Sequence, residues 1–340
     1  MEEVKRYSKH IVLLRFSALG DIAIAAPLLR EYAANNRETL FTMVSPPIVE
    51  PLFAGIENLS FFPVFLKDKH RGIRGMYRLS REVKLLQPNA VADLHSVLRT
   101  FIVRFFLIFS GIPFSRIDKG RKDKKMLTRK NNKVVRQLDS SMARYEKVIN
   151  SLNITPLNFS GRADYHKKCE YKNIIGIAPF AKHKGKQWPL EYMEEVVSAL
   201  SKSGKFSVFL FGGGEKEVYE LSLWERKFPG VKSFAGIGSL CQELQQMKET
   251  DLMICMDSSN MHFASSEKVP VISVWGATHP FAGFYGWGQD PENAVMAPAE
   301  CRPCSVFGNK ECFRGDYICL NGLKPAEMLK KIYNYYNLIY

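Results

Sequence analysis

His10-Ile11-Val12-Leu13-Leu14-Arg15-Phe16, then Ser17-Ala18-Leu19-Gly20-Asp21, then an Ala- and Leu-rich stretch over 22–35, decide the fold. Residues 11–14 are apolar without alternation, as expected of a parallel strand covered on both faces. A short Gly-containing loop and a helix-forming stretch complete a β-loop-α unit. Outward from it the rhythm repeats, with strands expected at 39–45, 58–65, 89–94 and 114–118 and helices at 72–87 and 97–110. That alternation implies a doubly wound parallel sheet.

Residues 119–136 interrupt the rhythm. Lys119-Gly120-Arg121-Lys122-Asp123-Lys124-Lys125, with Arg129, Lys130, Lys133 and Arg136, reads as an exposed, mobile basic loop. A helix is expected over 137–151 and a polar linker over 153–172. The pattern then restarts with strands at 173–178, 206–211, 231–234, 252–256 and 270–275. Helices are expected from Pro189 to about 203, from 215 to 227, from 239 to 249 and from 259 to 267. Pro189 suits a first helical turn. A last helix, aromatic on one side, is expected over 325–340. The expected domains are 1–165, 166–324 and a terminal helix at 325–340. Two such units line a cleft with the carboxyl ends of two sheets, where ligands bind in open α/β folds.

Composition agrees. The chain has 340 residues, 46% hydrophobic and 24% charged, which excludes collagen, coiled coil and wholesale disorder. Net charge is +14, and residues 1–165 hold 28 Lys/Arg against 15 Asp/Glu, leaving 20 against 19 for the rest. That imbalance points to a polyanionic partner: nucleic acid, an anionic membrane surface or a phosphorylated substrate. The most apolar run, 101–112, is too short to span a bilayer and contains Arg104. The opening Met1-Glu2-Glu3-Val4-Lys5-Arg6 has no signal-like core. Seven cysteines, an odd number with four crowded late, do not make an extracellular disulfide framework. A cytoplasmic protein is expected.

Several constellations carry chemistry. Gly20 suits a tight turn, and Asp21 suits either a helix cap or a general base. Lys182, Lys184 and Lys186 precede a helix N-terminus, a combination suited to a diphosphate or to a solvated basic loop. In Asp257-Ser258-Ser259-Asn260-Met261-His262, hydroxyl residues open a helix after a strand and suit a cap or a phosphate site. Glu215, after Gly212-Gly213-Gly214, suits a ribose or a favourable helix start. Asp93 and His95, at a strand end, suit a cleft or a satisfied surface pair. Cys301, Cys304, Cys312 and Cys319 suit a structural zinc or a reduced thiol cluster. No Asp-x-Asp occurs, which argues against a carboxylate-pair magnesium site.

In order along nearly the whole chain, these segments resemble glycosyltransferase family 9, the ADP-heptose:lipopolysaccharide heptosyltransferase family. The resemblance rests on 11–21 with Pro27, on Lys186-Gln187-Trp188-Pro189, on 257–262, on Val274-Trp275-Gly276-Ala277-Thr278-His279-Pro280, and on Cys301-Arg302-Pro303-Cys304. It implies an α/β GT-B fold of two Rossmann-like domains facing a central cleft, with the C-terminal helix returning to the N-terminal domain. It implies inverting transfer of heptose from an ADP-sugar to a lipopolysaccharide inner-core acceptor, without a required cofactor or catalytic metal. Asp21 would be the base and Lys186 would neutralise the diphosphate. Lys182, Glu215, Asp257, Ser258, Ser259 and His262 would hold the donor. Ser17, Gly20, Asp93 and His95 would face the acceptor. The protein would sit peripherally at the inner-membrane surface, with the 119–136 loop as contact and no nucleic-acid partner. Ser258-Ser259 departs from the family's usual Thr-Gly, and Phe180-Ala181-Lys182 from its frequent hydroxyl residues. The competing readings are a basic nucleic-acid-binding protein, which the absence of interleaved aromatics in the basic loop disfavours, and a GT-B enzyme on another sugar nucleotide, such as an epimerase.

Overall fold

The computed structural model describes residues 7–157 and 172–337; most of the expected linker lies outside the described residues. The chain divides into two compact units, one of 1–119 with 141–160 and one of 120–140 with 161–340.

In chain order, the first part of the sequence forms β1 (Lys9–Leu14), α1 (Leu19–Asn35), β2 (Thr39–Ser45), β3 (Leu59–Pro63), α2 (Gly72–Leu85), β4 (Ala90–Asp93), α3 (Leu98–Ile108) and β5 (Phe114–Arg116). Then come α4 (Arg121–Thr128) and α5 (Ser141–Asn150). The first unit's sheet is parallel throughout, in the order β3-β2-β1-β4-β5. Residues 11–14 are fully buried, which is why their run lacks a polar face. Val12 and Leu14 meet Met76, Leu79 and Val83 of α2 and Val103 and Leu107 of α3. Helices α1 and α5 pack together against strands without contributing to that cluster, as a doubly wound sheet requires.

The second unit comprises β6 (Ile174–Ala178), α6 (Leu190–Lys202), β7 (Ser207–Leu210), α7 (Glu215–Lys227), β8 (Val231–Ser233), α8 (Leu240–Glu249), β9 (Leu252–Met256), α9 (Ser259–Ser266) and β10 (Val271–Val274). It ends with β11 (Ala294–Val295), α10 (Ile318–Asn321) and α11 (Pro325–Asn337). Its parallel sheet runs β11-β10-β9-β6-β7-β8, so β11 extends the series that the sequence closes at 270–275. Trp188 is fully buried in its core.

Three expectations are corrected. The basic 119–136 segment is not a loose loop: it contains α4, and Leu127 and Leu138 are buried with Ala282 against Phe281 and Phe284. Lys124 lies 4.1 Å over the Phe284 ring. Because this segment belongs to the second unit, the excess charge of residues 1–165 is shared between the two units. The first unit carries 19 Lys/Arg against 12 Asp/Glu and the second 29 against 22, so each holds +7. The expected domain boundary near 165 is crossed by this exchange. Finally, α11 packs in the second unit's own core rather than returning to the N-terminal domain. Met328, Ile332 and Tyr336 join the cluster of Val196 and Leu200, and Tyr336 lies 4.9 Å from Phe206. Helix α11 packs on α6, with its aromatic rings Tyr333 and Tyr336 against Phe206 just beyond that helix.

Candidate active site

In an open α/β sheet, the strand-order reversal leaves a crevice at the carboxyl ends of the flanking strands. Here those strands are β1 and β4 in the first unit and β6 and β9 in the second. Several of the predicted site residues follow those strands, unit by unit.

In the first unit, Arg15 leaves β1 and is 6% exposed. Its Nη1 donates to Leu94 O at 2.6 Å, and its Nη2 lies 2.5 Å from Asp21 Oδ2. Helix α1 starts at Leu19, earlier than expected, so Gly20 holds helical backbone rather than a turn. Asp21 is the third helical residue rather than the N-cap, which is Ala18. Its carboxylate is aimed by Arg15 and stays about a quarter exposed at 24%. Tyr145 of α5 donates to Asp21 O at 3.2 Å, which braces the same turn. Burial pushes the Tyr145 hydroxyl above its ordinary range, so it serves as a donor.

Asp93 is corrected. It is fully buried at the end of β4, and it does not face an acceptor. Its Oδ1 accepts from His95 N at 2.9 Å and Ser96 N at 2.7 Å, and its Oδ2 lies 2.7 Å from Arg104 Nε. Arg104, which the sequence shows only as a charge inside an apolar run, is the missed partner. Together they hold the turn that presents His95. Phe16 N donates to His95 Nδ1 at 3.3 Å, so Nε2 carries the proton toward Ser17 Oγ at 3.3 Å. Burial first, then the positive fields of Arg15, Lys119 and Arg99, holds His95 down to about 3. Ser17 itself is exposed.

The His95 shift gives a pH prediction. Below its ordinary value of 6.5, the unfolded chain takes up a proton that folded His95 refuses. Stability present above pH 6.5 is therefore lost as pH falls toward about 3. His95→Gln should flatten this acid limb, read as melting temperature against pH. Parallel slopes in wild type and variant would refute it.

In the second unit, Lys186 Nζ lies 2.8 Å from Asp257 Oδ2, and Thr278 Oγ1 donates to the same oxygen at 2.8 Å. Asp257 is 3% exposed. It thus positions Lys186 rather than meeting a ligand, and Thr278 completes the set. The next residue, Ser258, is the N-cap of α9, yet its side chain makes no cap hydrogen bond. Its Oγ is buried without a hydrogen-bond partner. Ser259 opens α9, and His262, on its first turn, is 7% exposed.

The loop before Trp188 is held by hydrogen bonds at several points. Gln187 Oε1 accepts from Ala181 N at 2.7 Å while its Nε2 donates to Pro179 O at 2.8 Å. Trp188 Nε1 donates to Leu323 O at 3.1 Å. Gly185 N donates to Gly308 O at 3.2 Å, and Ala277 N to Gly185 O at 2.7 Å. A Cβ at Gly185 would lie 2.7 Å from Gly308 O, backbone that cannot yield cheaply. Gly185→Ala should cost about 1–3 kcal/mol of the second unit's stability and misplace Lys186. A thermal melt at the wild-type temperature would contradict this.

Other expected residues are placed differently. Lys182 is exposed, and its field, with that of Lys186, adds to burial in lowering the His183 pKa. Glu215 is exposed at the start of α7; Glu217, which no motif singles out, is the one whose Oε2 accepts from Gly213 N at 2.9 Å. Burial, then Glu217, pushes Glu243 of α8 up to about 7. The four cysteines do approach one another: burial, then Cys301 and Cys312, raises the Cys304 thiol. No group of three or more His, Cys, Asp or Glu among the described residues is arranged to hold a metal ion, and none of the four cysteines is in a disulfide.

The family model described as glycosyltransferase family 9 (heptosyltransferase) matches residues 118–312. The chain belongs to glycosyltransferase family 9. This family 9 enzyme is 23% identical over 287 residues to the lipopolysaccharide core heptosyltransferase OpsX of Haemophilus influenzae, covering 80% of each chain. A family 9 glycosyltransferase structure from Veillonella parvula matches with a TM-score of 0.72 at 18% identity, over 96% of this chain and 97% of that one. The E. coli heptosyltransferase WaaC, solved with ADP-2-deoxy-2-fluoro heptose, matches with a TM-score of 0.68 at 16% identity, over 96% and 99%. These structures share the fold of two parallel-sheet α/β units.

Proposed function

We propose that this enzyme moves a heptose from an ADP-sugar, with inversion, to a lipopolysaccharide inner-core acceptor at the cytoplasmic face of the inner membrane. One observation carries the donor half. A buried carboxylate fixes the Lys186 ammonium beside a helix N-terminus where Ser258 Oγ has no protein partner. Such a group of donors suits a diphosphate. The heptosyltransferase names of OpsX and WaaC support the sugar and acceptor.

In this reading the acceptor hydroxyl oxygen bonds to the anomeric carbon as the bond from that carbon to the diphosphate oxygen breaks. The hydroxyl proton passes to Asp21, already oriented by Arg15. The bond's electron pair leaves with the nucleotide. Lys186, Ser258, Ser259 and the first N–H groups of α9 meet that growing charge, so the proposed chemistry requires no metal. His262 and Lys182 flank the sugar and phosphates, and Glu215 accepts from the ribose. Ser17 and His95 orient the acceptor.

Calorimetry with ADP-, UDP- and GDP-sugars tests the reading, followed by NMR of the product formed on a core oligosaccharide. Binding confined to ADP-sugars, and a product of opposite anomeric configuration to the donor, are expected. Preference for another nucleotide, or salt-sensitive nucleic-acid binding without sugar-nucleotide binding, would overturn it.

A further inference from the structure

The helix α3 carries apolar residues on both sides. Thr100, Val103, Arg104 and Leu107 face the interior. On the other side Leu98, Phe101, Phe105, Ile108 and Phe109 are exposed, Leu98 by 74% and Phe109 by 75%. Their rings form one continuous surface. Phe105 lies 5.0 Å from Phe109 and 5.5 Å from Phe106, and Phe106 lies 4.9 Å from Tyr77 of the neighbouring α2. Exposed apolar patches of this kind mark an interaction site.

The rim says what the patch meets. Helix α2 exposes Arg74, Arg78, Arg81 and Lys84 alongside Ile73 and Tyr77. Its one acid, Glu82, is turned to His70 at 2.8 Å and Lys69 at 3.5 Å. From Arg71 to Arg116 the chain holds eight Lys/Arg against two acids, and the second acid, Asp93, is buried on Arg104. An aromatic stripe beside a row of cations matches the boundary of an anionic bilayer, where rings enter the headgroup region and cations meet lipid phosphates. A protein partner would need a matching acidic rim around an apolar socket. No helix among the described residues is long and apolar enough to cross a membrane, and α3, with 11 residues, is of a length to lie in the surface plane.

We infer that the α2–α3 face of the first unit is a docking surface for an anionic lipid bilayer, distinct from the basic α4 segment. The inference deepens the proposed function, because α3 begins three residues after His95 and is tied to that turn through Arg104 and Asp93. A bilayer on this face would set a lipid-linked acceptor next to Ser17 and His95.

Vesicle co-sedimentation tests it without turnover, so it can fail while the proposed transfer stands, and the reverse. Wild type should bind phosphatidylglycerol-containing vesicles and bind phosphatidylcholine vesicles far more weakly. Arg74→Glu with Arg78→Glu and Arg81→Glu should weaken anionic-vesicle binding about a hundredfold. Phe101→Ser with Phe109→Ser should weaken it about tenfold. Lys122→Glu with Lys125→Glu, on α4, should leave it unchanged. Circular dichroism matching wild type confirms that these surface changes leave the fold intact. No vesicle binding by wild type overturns the inference. So does an equal loss with the α4 variant, or concentration-dependent self-association that the Phe variants abolish without lipid.

Discussion

Under the proposed mechanism, Asp21→Asn should lower the transfer rate about a thousandfold while leaving affinity for the proposed ADP-sugar donor near wild type. The substitution keeps shape and one acceptor oxygen for Arg15, so the first turn of α1 retains its brace from Tyr145. What the proposed mechanism loses is a base for the hydroxyl proton, and positioned proton transfer contributes about a hundred- to ten-thousandfold. The proposed donor groups lie in the other unit, so donor affinity gives an internal control. Single-turnover rates and calorimetry on the same sample separate the two quantities. Activity within tenfold of wild type in a folded variant would remove Asp21 from the role of base. Parallel loss of rate and melting temperature would assign it instead to the structure of the Arg15 turn.

Lys186→Ala has two consequences, and they come apart experimentally. Removing one preorganised donor from a developing anion costs about a hundred- to a thousandfold in rate. The same change leaves Asp257, 3% exposed, with Thr278 as its remaining charge-stabilising neighbour. Breaking a buried ion pair from one side costs about 3–5 kcal/mol, so the melting temperature of the second unit should fall as well. Lys186→Arg keeps the pair and should recover stability while recovering only part of the rate, because a planar guanidinium presents its charge differently. If Lys186→Arg were stable and Lys186→Ala retained full ADP-sugar affinity and rate, the diphosphate would have to be held elsewhere.

Most of the two sheets was legible because their central strands are buried on both faces. Runs such as 11–14 and 252–256 therefore contain no polar residues to confuse the period. The motif positions were legible for a related reason: in this fold, ligand groups follow strand ends. What the sequence hides is who faces whom. Lys186 and Asp257 each stood in a motif, but their pairing spans two loops and needs the β6–β9 neighbourhood. Asp93 looked like a cleft residue because its partner, Arg104, is masked by a run of Phe and Ile. The 121–128 helix reads as a solvated loop since only Leu127, near its C-terminal end, is both apolar and buried. The residues that cover it lie about 150 positions away. The stripe on α11 announces a buried face, yet amphipathicity does not name the surface that buries it.

The exchange of 120–140 into the second unit bears on how this protein can be divided. The chain passes from one unit to the other near 119, again near 140 and once more near 160. Severing it at the last crossing would leave the front fragment holding Leu127 and Leu138, whose covering side chains are on the back fragment. Neither piece is then a self-sufficient module. Recombination that swaps whole halves between relatives must carry this short helix with its rear neighbours, or graft an apolar patch that no longer has a lid.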